Sequence, residues 1–129
     1  ILFTTGSSTL SNSAKSSLSK FANNVLKQNP DMDVAIQGYT DNQGWRNSTV
    51  AQSQQKNLEL SQMRAQSVST YLMQCGVSGT QIKSVEGFGE ANPVASNDTK
   101  AGQEQNRRVE VYMYASQQMI QQAENGTLQ

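Results

Sequence analysis

The chain has 129 residues, with ten Lys plus Arg balanced by ten Asp plus Glu and a formal net charge of +0. That length fits one domain with one hydrophobic core, and the neutral charge removes the usual electrostatic case for nucleic acid or an anionic membrane surface as main partner. There is no histidine and one cysteine, Cys75, so a histidine base, a histidine metal site and an internal disulfide are all excluded. The chain opens on apolar Ile1-Leu2-Phe3, read as a strand end followed by a loop through Thr4-Thr5-Gly6, and as a domain of a longer protein. Ala14, Leu18, Phe21, Ala22, Val25 and Leu26 recur every three or four residues and predict a helix. Ser11 or Ser13 would cap it, and Asn29-Pro30 would stop it. Val34, Ile36 and Gly38 alternate with Ala35, Gln37 and Tyr39 as in a strand.

Trp45 to Lys56 is polar and reads either as a loop or as the solvated start of the next helix. From Asn57 that helix is plain, with Leu60, Ala65, Val68, Tyr71, Leu72 and Cys75 on one side and Gly76 as its stop. Ile82 to Phe88 predicts a third strand, 91–105 a connection, and Val109 to Tyr114 a last strand. Residues 1–115 are thus expected to form the domain. Residues 116–129 are expected to form a tail that starts as a short helix and frays near Asn125-Gly126-Thr127. The order β-α-β-α-β-β predicts an α/β (α+β) two-layer sandwich, a mixed sheet with helices packed on one face. No apolar run approaches the roughly 20 residues of a membrane-spanning helix.

Three stretches carry polar groups where a ligand could meet them. GYTDNQG, residues 38–44, puts Asp41 just past a strand, at the sheet edge where α/β proteins place ligand sites. The plainer reading is an Asx turn, the carboxylate bonded to the amide two residues on with Gly44 closing the loop. Asn57, Leu60, Ser61 and Arg64 share one side of the second helix. Arg64 would either form a surface salt bridge or, with Asp41, hold a zwitterion, since a guanidinium grips a carboxylate and a carboxylate grips an ammonium. In Asn106-Arg107-Arg108-Val109-Glu110, alternation puts Arg107 on the side of Val109 and Arg108 on the side of Glu110 and Tyr112. Such an arginine pair more often guards a sheet edge than binds a ligand. Gly87-Phe88-Gly89-Glu90 lacks the spacing of a nucleotide loop. No catalytic set, metal set or cofactor motif is present, and Trp45 reads either as a stacking platform or as a loop anchor.

Read together, GYTDNQG, NLELSQMRAQSV (57–68), VEGFGEANPVASNDT (85–99) and NRRVEV (106–111) resemble the OmpA-like C-terminal domain, shared by Pal lipoproteins and MotB-type stator proteins. The resemblance runs from about Phe3 to Val111. It implies a non-catalytic periplasmic module that binds peptidoglycan through diaminopimelate of the stem peptide, without cofactor. Such a module anchors an outer-membrane or membrane-attached protein to the cell wall. On that resemblance Asp41 meets the diaminopimelate ammonium, Arg64 holds its carboxylate, Asn57 and Leu60 line the pocket with Thr40 beside them, and Arg108 supports. Three features depart from the family pattern. Thr4-Thr5-Gly6 replaces acidic residues, so any contact there would come from backbone amides. The interval Trp45 to Lys56 is long and would form a lid, extend the helix or meet a protein partner. Gln103 stands where arginine is frequent. The alternative implied by these departures is an assembly domain of the same fold that has lost wall binding.

Overall fold

The computed structural model describes residues 1–126. Helix α1 (Asn12–Phe21) begins at Ser11, whose Oγ accepts the Ala14 N–H at 3.0 Å. It runs on into a wider π-helical turn over Ala22–Leu26, where Lys27 N–H bonds back five residues to Ala22 O. Strand β1 (Met32–Gly38) follows, then the 25-residue helix α2 (Val50–Gln74), strand β2 (Ile82–Gly87), helix α3 (Lys100–Asn106), strand β3 (Val109–Ala115) and helix α4 (Gln117–Glu124).

The sheet has the order β2-β1-β3, with β1 parallel to β2 and antiparallel to β3. The parallel pair requires a crossover, and α2 supplies it. The mixed sheet with helices on one face is as expected. Leu18, Ala22 and Leu26 of the first helix and Ala65, Val68 and Leu72 of α2 pack on Val34, Ile36 and Val109 of the sheet. Tyr112 and Tyr114, alternating with these on β3, are exposed on the other face. Among the described residues, no helix is long and apolar enough to cross a membrane.

Two segments differ in detail from the sequence reading. The expected first strand is reduced to one antiparallel bridge, Leu2 to Arg108, beside β3. The connection 91–105 contains the start of α3, capped by Thr99, whose Oγ1 accepts the Gly102 N–H at 3.0 Å. The tail does form a helix, capped by Ser116, and it buries no residue. Of the stretch Asn125-Gly126-Thr127, where fraying is expected, Asn125 caps the helix end and Thr127 lies outside the described residues.

Candidate functional site

Past Gly38 the main chain stays fixed between its two neighbours. Tyr39 N–H donates to Arg108 O, and Thr40 N–H donates to Gly89 O, each at 2.8 Å. This holds Asp41 at the carboxyl end of β1, 4 % exposed. Its Oδ1 accepts the Gln43 N–H at 3.0 Å, the Asx turn expected from local sequence. Its Oδ2 pairs with Arg107 Nη1 at 2.9 Å, and both residues line a cavity. One residue therefore both closes the turn and lines the cavity.

Arg64 comes from α2, and its side chain is fully buried at 0 % exposure. Three N–H groups donate to main-chain carbonyls: Nε to Ser7 at 2.8 Å, Nη1 to Tyr39 at 3.0 Å and Nη2 to Thr4 at 3.0 Å. The guanidinium also lies over the Phe3 ring, 5.3 Å from its centroid. Among the described residues it makes no ion pair, because the paired acids are Asp41 with Arg107 and Glu110 with Arg108. Burial draws its pKa down to about 10; Asp41 pushes it up and Arg107 pushes it down again. The result is a buried cation with neutral partners and no carboxylate of its own.

Asp41 and Arg64 line the same cavity, of about 180 Å³, together with Thr40, Asn57 and Leu60. Such a volume is below the range of about 300–1,000 Å³ usual for whole small-molecule ligands, and suits the end group of a larger one. Thr40 Oγ1 donates to Asp41 O at 2.8 Å. Asn57 holds the rim: its Oδ1 accepts the Trp45 indole N–H at 2.8 Å, and its amide nitrogen donates to Gln43 O at 3.2 Å and Glu90 Oε2 at 3.3 Å. Thr5 and Gly6 also line the cavity.

The long interval Trp45 to Lys56 divides at Thr49. Thr49 and Gln52 make a reciprocal capping box, so α2 starts at Val50 and is extended toward its N-terminus. Before the cap, Trp45 N–H donates to Ser53 Oγ at 2.8 Å, and Lys56 Nζ lies 5.8 Å from the indole centroid. Trp45 is thus an anchor of the loop that also walls the cavity.

Arg108, expected in support of the site, is not brought to the cavity. Its guanidinium stacks on Tyr39 at 3.9 Å, and it bonds Glu110 Oε2 at 2.9 Å and Asn92 O at 2.8 Å. The physical reason is strand alternation, which turns Arg108 to the face of Glu110 and Arg107 to the helix-covered face of Val109. Arg107 is the residue the site reading missed, although its side of the strand was legible. Gln103, in place of an arginine, joins the site indirectly, its Oε1 accepting the Gln43 amide N–H at 3.1 Å.

Comparison with known proteins places the chain among relatives of the same fold. The chain is 40% identical over 111 residues to the probable lipoprotein YiaD of Escherichia coli, covering 86% of this chain and 46% of the relative. It is 46% identical over 86 residues to the peptidoglycan-binding protein ArfA of Mycobacterium tuberculosis, covering 67% of this chain and 24% of the relative. The chain thus spans about half or less of the length of these curated relatives. The crystal structure of the peptidoglycan-associated lipoprotein from Burkholderia pseudomallei matches with a TM-score of 0.74 at 29% identity, over 88% of this chain and 87% of that one. The C-terminal domain of Helicobacter pylori MotB matches with a TM-score of 0.75 over 96% of this chain and 90% of that one, at 22% identity, a likeness of fold. A family model described as the OmpA family matches residues 2–107, and the chain belongs to that family.

Proposed function

We propose that this domain binds peptidoglycan without covalent attachment, through diaminopimelate of the stem peptide, and so holds an envelope protein to the cell wall on its periplasmic side. The observation that carries the reading is the shared cavity, lined both by Arg64, whose buried guanidinium has no acidic partner among the described residues, and by Asp41. A free amino-acid end group offers the complementary charges, its carboxylate toward Arg64 and its ammonium toward Asp41. Leu60 offers apolar contact to the carbon chain, and Asn57 and Thr40 hold the walls in place. Family membership and the names of ArfA and the Burkholderia lipoprotein support the same reading.

The work of such a site is recognition, not turnover. Each charge-assisted contact contributes roughly 1.5–3 kcal/mol, and ordering the ligand opposes them. One domain therefore binds in the micromolar range at best, and repeated presentation along a wall polymer supplies avidity.

The test is pull-down with purified sacculi together with titration of free diaminopimelate by amide NMR shifts. Wild-type protein should co-sediment and show shifts at Asp41, Asn57 and Arg64, and Asp41→Ala should lose both. A folded protein that stays in the supernatant and shows no shifts at millimolar ligand would leave an assembly role for this fold.

A further inference from the structure

Asp41 faces the cavity already engaged. Its Oδ1 accepts the Gln43 main-chain N–H, while its Oδ2 accepts the Gln43 side-chain amide at 2.9 Å and Arg107 Nη1 at 2.9 Å. A carboxylate offers about four acceptor positions, so one residue fills two of Asp41's.

The two Gln43 bonds differ in purpose. The main-chain bond closes the turn, and Asn57 fixes the Gln43 carbonyl by donating to it at 3.2 Å. The side-chain bond adds nothing to the turn. It lays an N–H donor on the oxygen that an incoming ammonium would need. Gln103 keeps it there, accepting from the same Gln43 Nε2 at 3.1 Å while its own amide nitrogen donates to Asn97 O at 2.9 Å.

We propose that the Gln43 carboxamide, latched by Gln103, is an internal stand-in for the ligand's ammonium, and that its departure from Asp41 sets the affinity of the site for amine-bearing ligands. This rests on the diaminopimelate reading above. While Gln43 covers Asp41 the site cannot take the amine, and the apparent dissociation constant is the intrinsic one divided by the open fraction. Arg64 is unaffected by the latch, because none of its bonds involves Gln43 or Gln103. The device therefore tunes the amine half of recognition and leaves the carboxylate half alone.

The experiment titrates diaminopimelate, and separately pimelate, which has the carboxylates without the amines, into wild-type, Gln43→Ala and Gln103→Ala proteins, followed by amide NMR shifts. Gln43→Ala should bind diaminopimelate about two- to tenfold more tightly, the range one net hydrogen bond supplies. Gln103→Ala, which loses the latch but keeps the 41–44 loop sequence, should show a smaller gain in the same direction. Pimelate should bind wild-type and Gln43→Ala protein alike. Unchanged or weaker diaminopimelate binding by both variants, beside measurable wild-type binding, overturns the inference, as does an equal gain for pimelate. If none of the three proteins binds diaminopimelate, the proposed function fails first and the latch with it.

Discussion

A Cβ placed on Gly38 would stand 2.0 Å from the carbonyl oxygen of Ser61, so β1 and α2 touch backbone to backbone where the strand ends. A Cβ placed on Gly87 of β2 would likewise stand 2.3 Å from Gln62 N. This contact brings Arg64, one turn past Ser61, over the end of β1. Gly38→Ala forces the helix outward and should cost about 1–3 kcal/mol, read as a lower urea midpoint at unchanged slope. Gly44→Ala, whose added carbon would meet Ser53 Oγ at 3.6 Å, should leave stability within about 0.5 kcal/mol.

Arg64 serves the fold as well as the cavity, so its removal does not separate binding from stability. Arg64→Ala strands the carbonyls of Ser7 and Tyr39, each an unsatisfied group worth about 1–3 kcal/mol, and leaves Thr4 O with the Ser7 N–H alone. Thermal unfolding should show a loss of several degrees or more alongside the loss of ligand shifts. Asp41→Asn is the cleaner probe. It keeps an oxygen for the Gln43 N–H, deletes the charge and gives up the Arg107 pair, and should weaken diaminopimelate binding tenfold or more, by about 1.5–3 kcal/mol, with a lower melting temperature but a folded circular-dichroism spectrum.

Trp45 is the chain's one tryptophan, and its indole N–H bonds Asn57 in the cavity wall. Its fluorescence should therefore respond to diaminopimelate with the same midpoint as the NMR shifts. Trp45→Phe keeps a ring and loses the bond, and isothermal titration should find binding weaker by about two- to tenfold. Full wild-type affinity in this variant would mean the Trp45–Asn57 bond does not shape the site.

Arg108→Ala should separate the two neighbouring arginines. Arg108 ties Tyr39, Asn92 and Glu110 together away from the cavity, so its loss should lower stability by about 1–3 kcal/mol and leave diaminopimelate affinity within twofold. A collapse of binding without loss of stability would contradict this placement.

The parts of the fold written in periodic apolar residues were legible in the sequence. Leu18 and Leu26 marked one helix, Val68 and Leu72 another, and Val34 and Ile36 the central strand, and all six meet in the core. Asp41 and Arg64 were legible as a candidate pair because each stands at a fixed offset from a predictable element. Helix α3 was not, since its seven residues KAGQEQN carry no apolar face and Gly102 is used for close packing, a Cβ there falling 1.7 Å from Ser96 O. Arg107 shows a different limit. Alternation gave its side of the strand correctly, but nothing in the local sequence says that Asp41, 66 residues away, is its partner. The Gln43–Gln103 bond spans 60 residues and is likewise a product of tertiary structure.

The first residues of the chain are stitched to the cavity's own cations. Phe3 N–H donates to Arg107 O at 2.9 Å, Arg107 Nε donates to Phe3 O at 3.0 Å, and Arg64 holds the carbonyls of Thr4 and Ser7. Tension applied along this segment is thus borne by the same guanidinium that, in the proposed function, meets the ligand's carboxylate. Occupancy and mechanical strength become linked, and a loaded domain should rupture at higher force than an empty one when pulled from Ile1.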